Sequence, residues 1–266
     1  MTESLNAVCE GCAARIEGRD RVDFQNAFLR HVRGEHPDWP FPDIAIRNYA
    51  DATQRLAPVE PRREELGAVE VHPVTADRID DWLAFFDRDG FAGNPAWASC
   101  YCMEPHMLVR GTLPEQAEFE PWEENRARAV RMLADGHCFG YLAYVDGRPA
   151  AWVNASRRCD YARYRLGADR AEVEPGGPPD EAVIGVSCFL VAPPYRRHGL
   201  PEKLLERVLA DAPGRGADWV EAYPPAQGGD EGPSGFLGRR ALYERHGFAP
   251  VRSEGPRQIV VRRAVR

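Results

Sequence analysis

The chain has 266 residues, of which 44% are hydrophobic, and its formal net charge is −7 at pH 7. An apolar share of this size lets a chain of this length bury one large core or two smaller ones. The negative charge disfavours sequence-independent DNA binding, and no apolar run approaches the length that spans a membrane. The seven unevenly spaced cysteines, without any secretory context, predict reduced thiols in the cytoplasm and favour metal binding over disulfides.

Residues 1–58 contain two cysteines and two histidines at spacings typical of metal sites. Cys9 and Cys12 form a C-x-x-C pair, and His31 and His36 form an H-x4-H pair further along the chain. Two thiolates and two imidazoles supply the four ligands of a tetrahedral zinc site. Two unrelated pairs are the alternative, but a segment with so small a core needs a staple, which favours structural zinc.

Hydrophobic periodicity in this segment predicts one helix over 23–36, which carries the histidines, and a second over 41–56. Residues 1–58 are therefore predicted to form a small, mainly helical, zinc-binding module, similar to short zinc-finger-like modules. Lys and Arg do not exceed Asp and Glu here, which disfavours nucleic acid as a partner. We expect a structural or docking role.

A short charged stretch that contains a proline, residues 59–66, predicts a linker between this module and a larger domain over 67–266. Asp146-Gly147 in that domain is a dipeptide suited to a tight hairpin turn. Residues 156–180 are rich in Arg, Gly and Pro and predict a long surface loop. The elements predicted before that loop are a strand at 69–74, helices at 78–88 and 121–134, and hairpin strands at 138–145 and 149–155.

The loop after the first of these helices contains two cysteines in C-x-C spacing, Cys100 and Cys102, followed closely by His106. Such a group can bind metal or carry out redox chemistry. We favour a third interpretation, in which Trp97, Tyr101 and Met103 line a pocket. Cys138, Cys159 and Cys188 are isolated in sequence and are interpreted as small apolar residues.

The most informative stretch is a predicted strand at 182–191, a basic turn, and a predicted helix at 201–211. The N-terminus of a helix leaves backbone N–H groups without partners, and its dipole favours an anion there. Arg196 and Arg197 add positive charge, and Gly199 permits close approach of a phosphate. The turn lacks both G-x-x-x-x-G-K-[ST] and G-x-G-x-x-G, so it is neither a Walker loop nor a dinucleotide fingerprint.

A strand at 219–223, a helix at 236–246 and a last strand at 257–262 are predicted downstream. The turn resembles the R-x-x-G-x-[GA] motif of GNAT-type, acetyl-CoA-dependent N-acyltransferases, and Tyr243 to Phe248 resembles the family's Y-x-x-x-G-F. Pro201 departs from the usual Gly or Ala and removes one N–H donor, although proline suits the first turn of a helix. The resemblance covers 67–266 and implies an α/β fold with a mixed, mostly antiparallel sheet flanked by helices.

The resemblance also implies roles for particular residues, with acetyl-CoA as cosubstrate. The strand before the turn would separate from its neighbour and pair with the pantetheine arm, and a backbone N–H there would stabilise the oxyanion. Tyr243 would act as the general acid that protonates the departing thiolate. The predicted cofactor-binding residues are Phe189, Leu190, Val191, Arg196, Arg197, His198, Gly199 and Leu200.

The general base is less well defined by the sequence. Glu221 lies on the strand after the cofactor helix, where its side chain can face the cleft. His72 and His106 are alternatives, and a chain of water molecules could also remove the proton from the amine.

Two functions remain open at this point. The first is an N-acetyltransferase that moves an acetyl group directly to a small-molecule or peptide amine in a ternary complex. The second is a non-catalytic acyl-CoA-binding regulator whose zinc module docks a protein or a nucleic acid. No membrane partner is expected, a homodimer is kept open, and the sequence does not identify the amine.

Overall fold

The computed structural model describes residues 4–107, 109–110, 113–114, 120–226, 236–254 and 258–266. Residues 5–55 form a hairpin and two helices that enclose a small core of their own. The hairpin strands were not predicted, because four-residue strands are too short for a clear periodic pattern. Both predicted helices are present, and the short hairpin adds to them: the elements are β1 Leu5–Val8, β2 Arg15–Gly18, α1 Arg21–Glu35 and α2 Asp43–Arg55.

The two helices of this module pack through one apolar face each. Helix α1 begins after Asp20, whose side chain caps it by accepting a hydrogen bond from the backbone N–H of Asp23 at 2.9 Å. Phe24, Phe28 and Val32 recur along α1 at helical spacing and are buried. The remaining buried apolar residues of this core are Cys9, Ile16, Ile46 and Ala50.

A seven-stranded sheet organises the described residues after the linker. Its order is β10-β11-β9-β8-β7-β6-β3, and each neighbouring pair is antiparallel except β8 and β9, which run parallel. The predicted mixed, mostly antiparallel sheet is thus confirmed. In chain order the strands after the module are β3 Val69–Pro73, β4 Val109–Arg110, β5 Leu113–Pro114, β6 Gly140–Val145, β7 Arg148–Asn154, β8 Val183–Val191, β9 Trp219–Ala222, β10 Ala249–Glu254 and β11 Gln258–Ala264.

The hairpin of β6 and β7 turns where the sequence indicates. Asp146 and Gly147 both have positive φ, 51° and 77°, as a two-residue turn that matches strand twist requires. Val145 and Arg148 are paired directly across it. The predicted hairpin is confirmed.

Helices flank the sheet and supply much of its core. Helix α6 presents Leu200, Leu204, Leu205 and Val208 as one buried stripe and packs against β3, β6, β7 and β8. The helices after the module are α3 Ile79–Ala84, α4 Trp122–Ala134, α5 Arg170–Val173, α6 Leu200–Asp211 and α7 Arg240–Arg245.

Three segments differ from the sequence predictions. Residues 156–180 are not a simple surface loop, because Arg158, Tyr161 and Tyr164 are buried there. The last helix begins at Arg240 rather than at 236, after Gly238 with φ 78°. Strand β10 was not predicted, and the last strand runs over Gln258–Ala264, with Arg257 outside the described residues.

Candidate functional site

Strands β8 and β9 pair over only part of their length. The parallel register joins Val183 to Trp219 and ends where Val186 faces Ala222, after which β9 stops and β8 continues to Val191. On its other side β8 is still paired with β7, where Leu190 faces Trp152. The two parallel strands therefore part beside residues 187–191. This is the separation that the family resemblance implied.

The backbone of β8 is irregular at the point where the strands part. The register with β7 shifts between Trp152 and Asn154, and Cys188 has a φ of 53°. A non-glycine residue in the left-handed region costs energy and persists only where the surroundings hold it. This bulge turns the next residues, beginning with Phe189, relative to the start of the strand.

The basic turn leads from this strand into helix α6. Arg197 and Gly199 have positive φ, 64° and 74°, and the backbone of Gly199 caps the helix by accepting hydrogen bonds from the N–H groups of Glu202 and Lys203. The first N–H groups of a helix have no partner within it, which leaves donors available at this turn. Arg196 and Arg197 are exposed beside them. The geometry gives a positively charged concave backbone suited to a phosphate.

The linker touches this turn, which the sequence did not indicate. The backbone N–H of Arg63 donates to the carbonyl of Pro194 at 2.9 Å, and the carbonyl of Arg63 accepts from His198 Nε2 at 2.9 Å. The Arg63 guanidinium lies 4.9 Å from the ring centroid of Tyr195. The only sequence signal for these contacts was the Arg62-Arg63 pair within a charged stretch.

Tyr243 lies beside the strand that carries the predicted cofactor contacts. Its ring centroid is 6.5 Å from that of Phe189, and its hydroxyl donates to the carbonyl of Leu237 at 2.6 Å. Burial raises the pKa of the Tyr243 hydroxyl well above its usual value. The side chain is therefore protonated at neutral pH, as a general acid must be.

Glu221 lies in a different environment from the one predicted for it. The side chain is fully buried, and Oε2 accepts hydrogen bonds from Arg158 Nη1 at 3.0 Å and from Arg262 Nε at 2.9 Å. Oε1 lies 3.4 Å from Arg252 Nη2. A carboxylate enclosed by three guanidinium groups offers no free oxygen to a substrate amine, so this geometry is that of a structural ion-pair centre.

The other candidate bases are also engaged. His106 Nδ1 donates to the carbonyl of Asp160 at 3.0 Å, Nε2 lies 3.1 Å from Asn154 Nδ2, and burial lowers the pKa of His106 to about 4. His72 lies on β3 at the edge of the sheet and pairs with Glu70. His106 thus contacts Asn154, the residue of β7 that pairs with Ser187 of β8, but both of its ring nitrogens are engaged.

Two of the three residues predicted to line a pocket are core residues. Tyr101 and Met103 are fully buried, and the Tyr101 hydroxyl donates to Asp87 Oδ1 at 2.6 Å and accepts from Arg55 Nη1 at 3.0 Å. Trp97 is partly buried, with its ring centroid 6.0 Å from that of Phe236.

The four predicted metal ligands of the module converge. Cys9 Sγ lies 3.3 Å from His36 Nε2, and Cys12 Sγ lies 3.3 Å from His31 Nε2. All four ligand atoms are within 4.8 Å of one another, which makes them the one such cluster among the described residues. A tetrahedron with the bond lengths usual for zinc has edges of roughly 3.3 to 3.8 Å, so the donor set fits.

Comparisons with known proteins address the same region of the chain. The model of the acetyltransferase (GNAT) family matches residues 109–248, more than half of the chain. A search of curated proteins gives no match. Among the described residues, no helix combines the length and the apolar character needed to cross a bilayer.

A comparison with solved structures also gives matches, three of which are described below. The GNAT domain of S. lividans PAT has 18% identity and a TM-score of 0.43, with 74% of this chain and 91% of that chain covered. An acetyltransferase from Thermus thermophilus has 16% identity and a TM-score of 0.41, with 75% and 98% covered. The acetyltransferase candidate yncA from Salmonella typhimurium, solved with its cofactor acetyl-CoA, has 11% identity and a TM-score of 0.45, with 75% and 95% covered.

Proposed function

The chain belongs to the acetyltransferase (GNAT) family, and on that premise we propose that it transfers an acetyl group from acetyl-CoA directly to the amine of a small molecule or peptide. One observation carries the proposal. The parallel strands β8 and β9 part after Val186 and Ala222, immediately before the basic turn at the start of α6. A gap between strands that ends at a helix N-terminus suits a long arm that terminates in phosphates.

The turn is proposed to hold the diphosphate of the cosubstrate. Arg196 and Arg197 supply charge, while the backbone of His198, Gly199 and Leu200 supplies N–H donors. Pro201 contributes no N–H, so the cradle depends on the residues before it. The contact between His198 and the carbonyl of Arg63 supports the position of the turn.

The backbone of Phe189, Leu190 and Val191 is proposed to pair with the arm as an added strand would. This pairing would hold the thioester carbonyl beside the parting of the strands, where a backbone N–H can stabilise the oxyanion. The substrate amine attacks the carbonyl carbon, the carbon–sulfur bond breaks, and the thiolate leaves. Tyr243 is proposed to give that thiolate its proton.

The amine must also lose a proton before or during attack. Because Glu221 is enclosed by arginines, we propose that it positions β9 and β11 and that water molecules carry the proton from the amine to solvent. The Tyr243 hydroxyl is then re-protonated from the same solvent. The proton balance of the transfer therefore needs no buried carboxylate as base.

We further propose that residues 1–58 form a unit stabilised by a structural zinc ion, with residues 59–66 as a linker and 67–266 as the transferase domain. Cys9, Cys12, His31 and His36 would hold the ion, which closes the tetrahedron with no open position. Such a site is structural, since a catalytic zinc needs a free position for water or substrate.

A screen of amine pools tests the proposed transfer. Purified protein is mixed with acetyl-CoA and small-molecule or peptide amines, and acetylated products are detected by mass. Tyr243→Phe is expected to lower kcat by about a hundredfold or more, the usual contribution of a general acid. Tyr223→Phe is the matched control, because Tyr223 is also a fully buried tyrosine and its loss of a hydroxyl leaves the acid in place.

Two outcomes would contradict the proposal. Tight binding of acetyl-CoA without turnover on any amine indicates the non-catalytic regulator instead. Equal effects of the two tyrosine substitutions remove Tyr243 from the role of acid. For the metal, zinc well below one ion per chain, after refolding in its presence, rejects the structural site.

A further inference from the structure

A side chain at the end of α2 reaches from the N-terminal module into the larger domain. Arg55 Nη1 donates to the Tyr101 hydroxyl at 3.0 Å, and Nη2 donates to the carbonyl of Ala98 at 3.1 Å. Nη1 also lies 3.3 Å from the carbonyl oxygen of Asp87. Ala98 and Tyr101 belong to residues 90–107, which lie after α3 and are called the α3 loop here. The module therefore contacts this loop at two points.

The Arg55 guanidinium lies against two aromatic rings. Its central carbon is 4.7 Å from the ring centroid of Trp122 and 5.5 Å from that of Tyr101. The Asp87 carboxylate, which accepts the Tyr101 hydroxyl, is paired with Arg126 Nη2 at 3.0 Å. A guanidinium presents its N–H groups as a rigid planar fork, so it can join acceptors on different residues. Arg55 is thus suited to fix the α3 loop relative to α2.

The α3 loop has unusual backbone next to this contact. Tyr101 and Cys102 have positive φ, 46° and 60°. Non-glycine residues keep such angles only where the surroundings hold them. On one side the loop is held by the hydrogen bond from Arg55 to the Tyr101 hydroxyl. On the other side Cys102 Sγ accepts the indole N–H of Trp152 at 3.2 Å and lies 3.4 Å from Asn154 Nδ2, so this turn joins α2 to β7.

These two residues of β7 pair with β8 on either side of its bulge. Trp152 faces Leu190, and Asn154 faces Ser187. The α3 loop also packs on β8 directly, because a Cβ added at Gly90 would lie 2.9 Å from Leu190 Cδ2. Leu190 is one of the residues proposed to pair with the cofactor arm. Contacts therefore continue from the end of α2 to the part of β8 that the proposed reaction uses.

We propose that Arg55 is a positioning residue, which acts through the α3 loop to hold the segment of β8 that pairs with acetyl-CoA. This inference rests on the proposed function and gives the N-terminal module a part in it. Without the guanidinium, the Ala98 carbonyl and the Tyr101 hydroxyl lose their shared donor, and the turn at Tyr101 and Cys102 can relax to a less strained backbone. We then expect β8 to shift relative to the basic turn.

The first test is the binding of acetyl-CoA to the full chain, measured by calorimetry, which needs no amine. Arg55→Ala and Arg55→Lys are each expected to raise the Kd about tenfold without changing the number of sites, because lysine keeps the charge but lacks the fork. Arg47→Ala is the matched control, since it removes an arginine from the middle of the same helix. A variant that is merely less stable loses sites and keeps its Kd. A wild-type Kd in either Arg55 variant overturns the proposal.

The path through the α3 loop is tested by Tyr101→Phe, alone and combined with Arg55→Lys. Both substitutions break the same hydrogen bond, so the double variant is expected to bind acetyl-CoA about as weakly as Arg55→Lys alone. Effects on the Kd that multiply would mean that the two residues act independently, which overturns the path.

Hydrogen exchange separates this inference from the proposed function. Without acetyl-CoA, the amides of residues 98–102 and 187–191 are expected to exchange faster in Arg55→Ala than in the wild type and in Arg47→Ala. Equal exchange in the three proteins overturns the hold of Arg55 on β8. Faster exchange in a protein that binds no acetyl-CoA and acetylates no amine contradicts the proposed function and leaves that hold standing.

Discussion

The N-terminal module and the seven-stranded sheet differ in the size of the hydrophobic core that stabilises them. The module at the N-terminus encloses seven buried apolar residues, and one of these is Cys9, itself part of the Cys/His cluster. The seven-stranded sheet has a continuous core drawn from its strands and from the helices packed against it. In a small domain the free energy gained by burying apolar surface barely exceeds the loss of conformational entropy on folding. In a large domain the gain exceeds that loss by more.

The larger core is stable enough to enclose charged side chains, whose burial costs free energy. Arg158, Glu221 and Arg262 are enclosed together between β9, β11 and the segment before β8. Burying ions requires a surrounding structure that is stable without them. We therefore expect the Cys/His cluster to stabilise the small module through the proposed zinc, whereas the buried charges of the sheet carry a cost that its core offsets.

The largest effect is expected from removing the proposed zinc. Chelation, or Cys12→Ser, is expected to unfold residues 4–56, because ligation in zinc-finger peptides contributes on the order of 10 kcal/mol. Limited proteolysis followed by mass spectrometry locates the cuts. Cys159→Ser is the matched control, since that thiol lies outside the cluster and outside the module. Protease resistance that is unchanged in Cys12→Ser contradicts the dependence on metal.

A smaller effect is expected from breaking the buried ion pairs of the sheet. Glu221→Gln leaves Arg158 and Arg262 buried without their shared carboxylate, which costs about 3–5 kcal/mol of unfolding free energy. Denaturant titration measures the loss. A structural role also predicts that kcat of the folded variant stays close to that of the wild type. A large fall in kcat with unchanged stability would instead restore Glu221 as the base.

The third effect depends on pH. The folded protein holds the pKa of His106 at about 4 because the ring is buried, while the unfolded chain takes up that proton near pH 6.5. Stability is therefore lost as the pH falls from about 6.5 towards 4, by about 2 kcal/mol at pH 5. Urea titrations at pH 7.5 and pH 5 measure the free energy of unfolding. Its decrease between these two pH values should be larger for the wild type than for His106→Gln. An equal decrease in the two proteins rejects this contribution of His106 to stability.

An effect of similar size concerns the boundary between the two regions. Asp51 of α2 accepts hydrogen bonds from Gln25 Nε2 at 2.9 Å and, across the boundary, from the indole N–H of Trp122 at 2.9 Å. Asp51→Asn is expected to cost about 1.5–3 kcal/mol and to separate the melting of the two regions in calorimetry. Asp43→Asn is its control, because the pair of Asp43 with Arg33 is exposed. Similar thermograms for both variants would mean that Asp51 does not couple the regions.

Much of the fold follows from local patterns in the sequence. The hairpin around Asp146-Gly147 and the amphipathic helix from Leu200 were predictable because turn chemistry and apolar periodicity act over a few residues. The burial of Arg158 was not, because it depends on Asp180 and Glu221, which are distant in sequence. A stretch rich in arginine and proline gives no local sign that it closes over a sheet.

The same distinction applies to the site. The turn at Arg196 and the Cys/His cluster could be found from spacing, since their chemistry requires fixed intervals along the chain. Glu221 was assigned as a base from its position on a strand, but its side chain is buried among arginines that come from other elements. The contacts of Cys102 with Trp152 and Asn154 are likewise a product of tertiary structure.

The contact of the linker with the basic turn has a consequence for how the protein is made. Arg63 leaves the ribosome long before its partners Pro194 and His198, which lie more than a hundred residues further along. The linker already has partners that emerge earlier, since Glu60 pairs with Arg148 and Arg63 with Asp146. Its contacts with the turn therefore form last, when residues 194–198 have been synthesised.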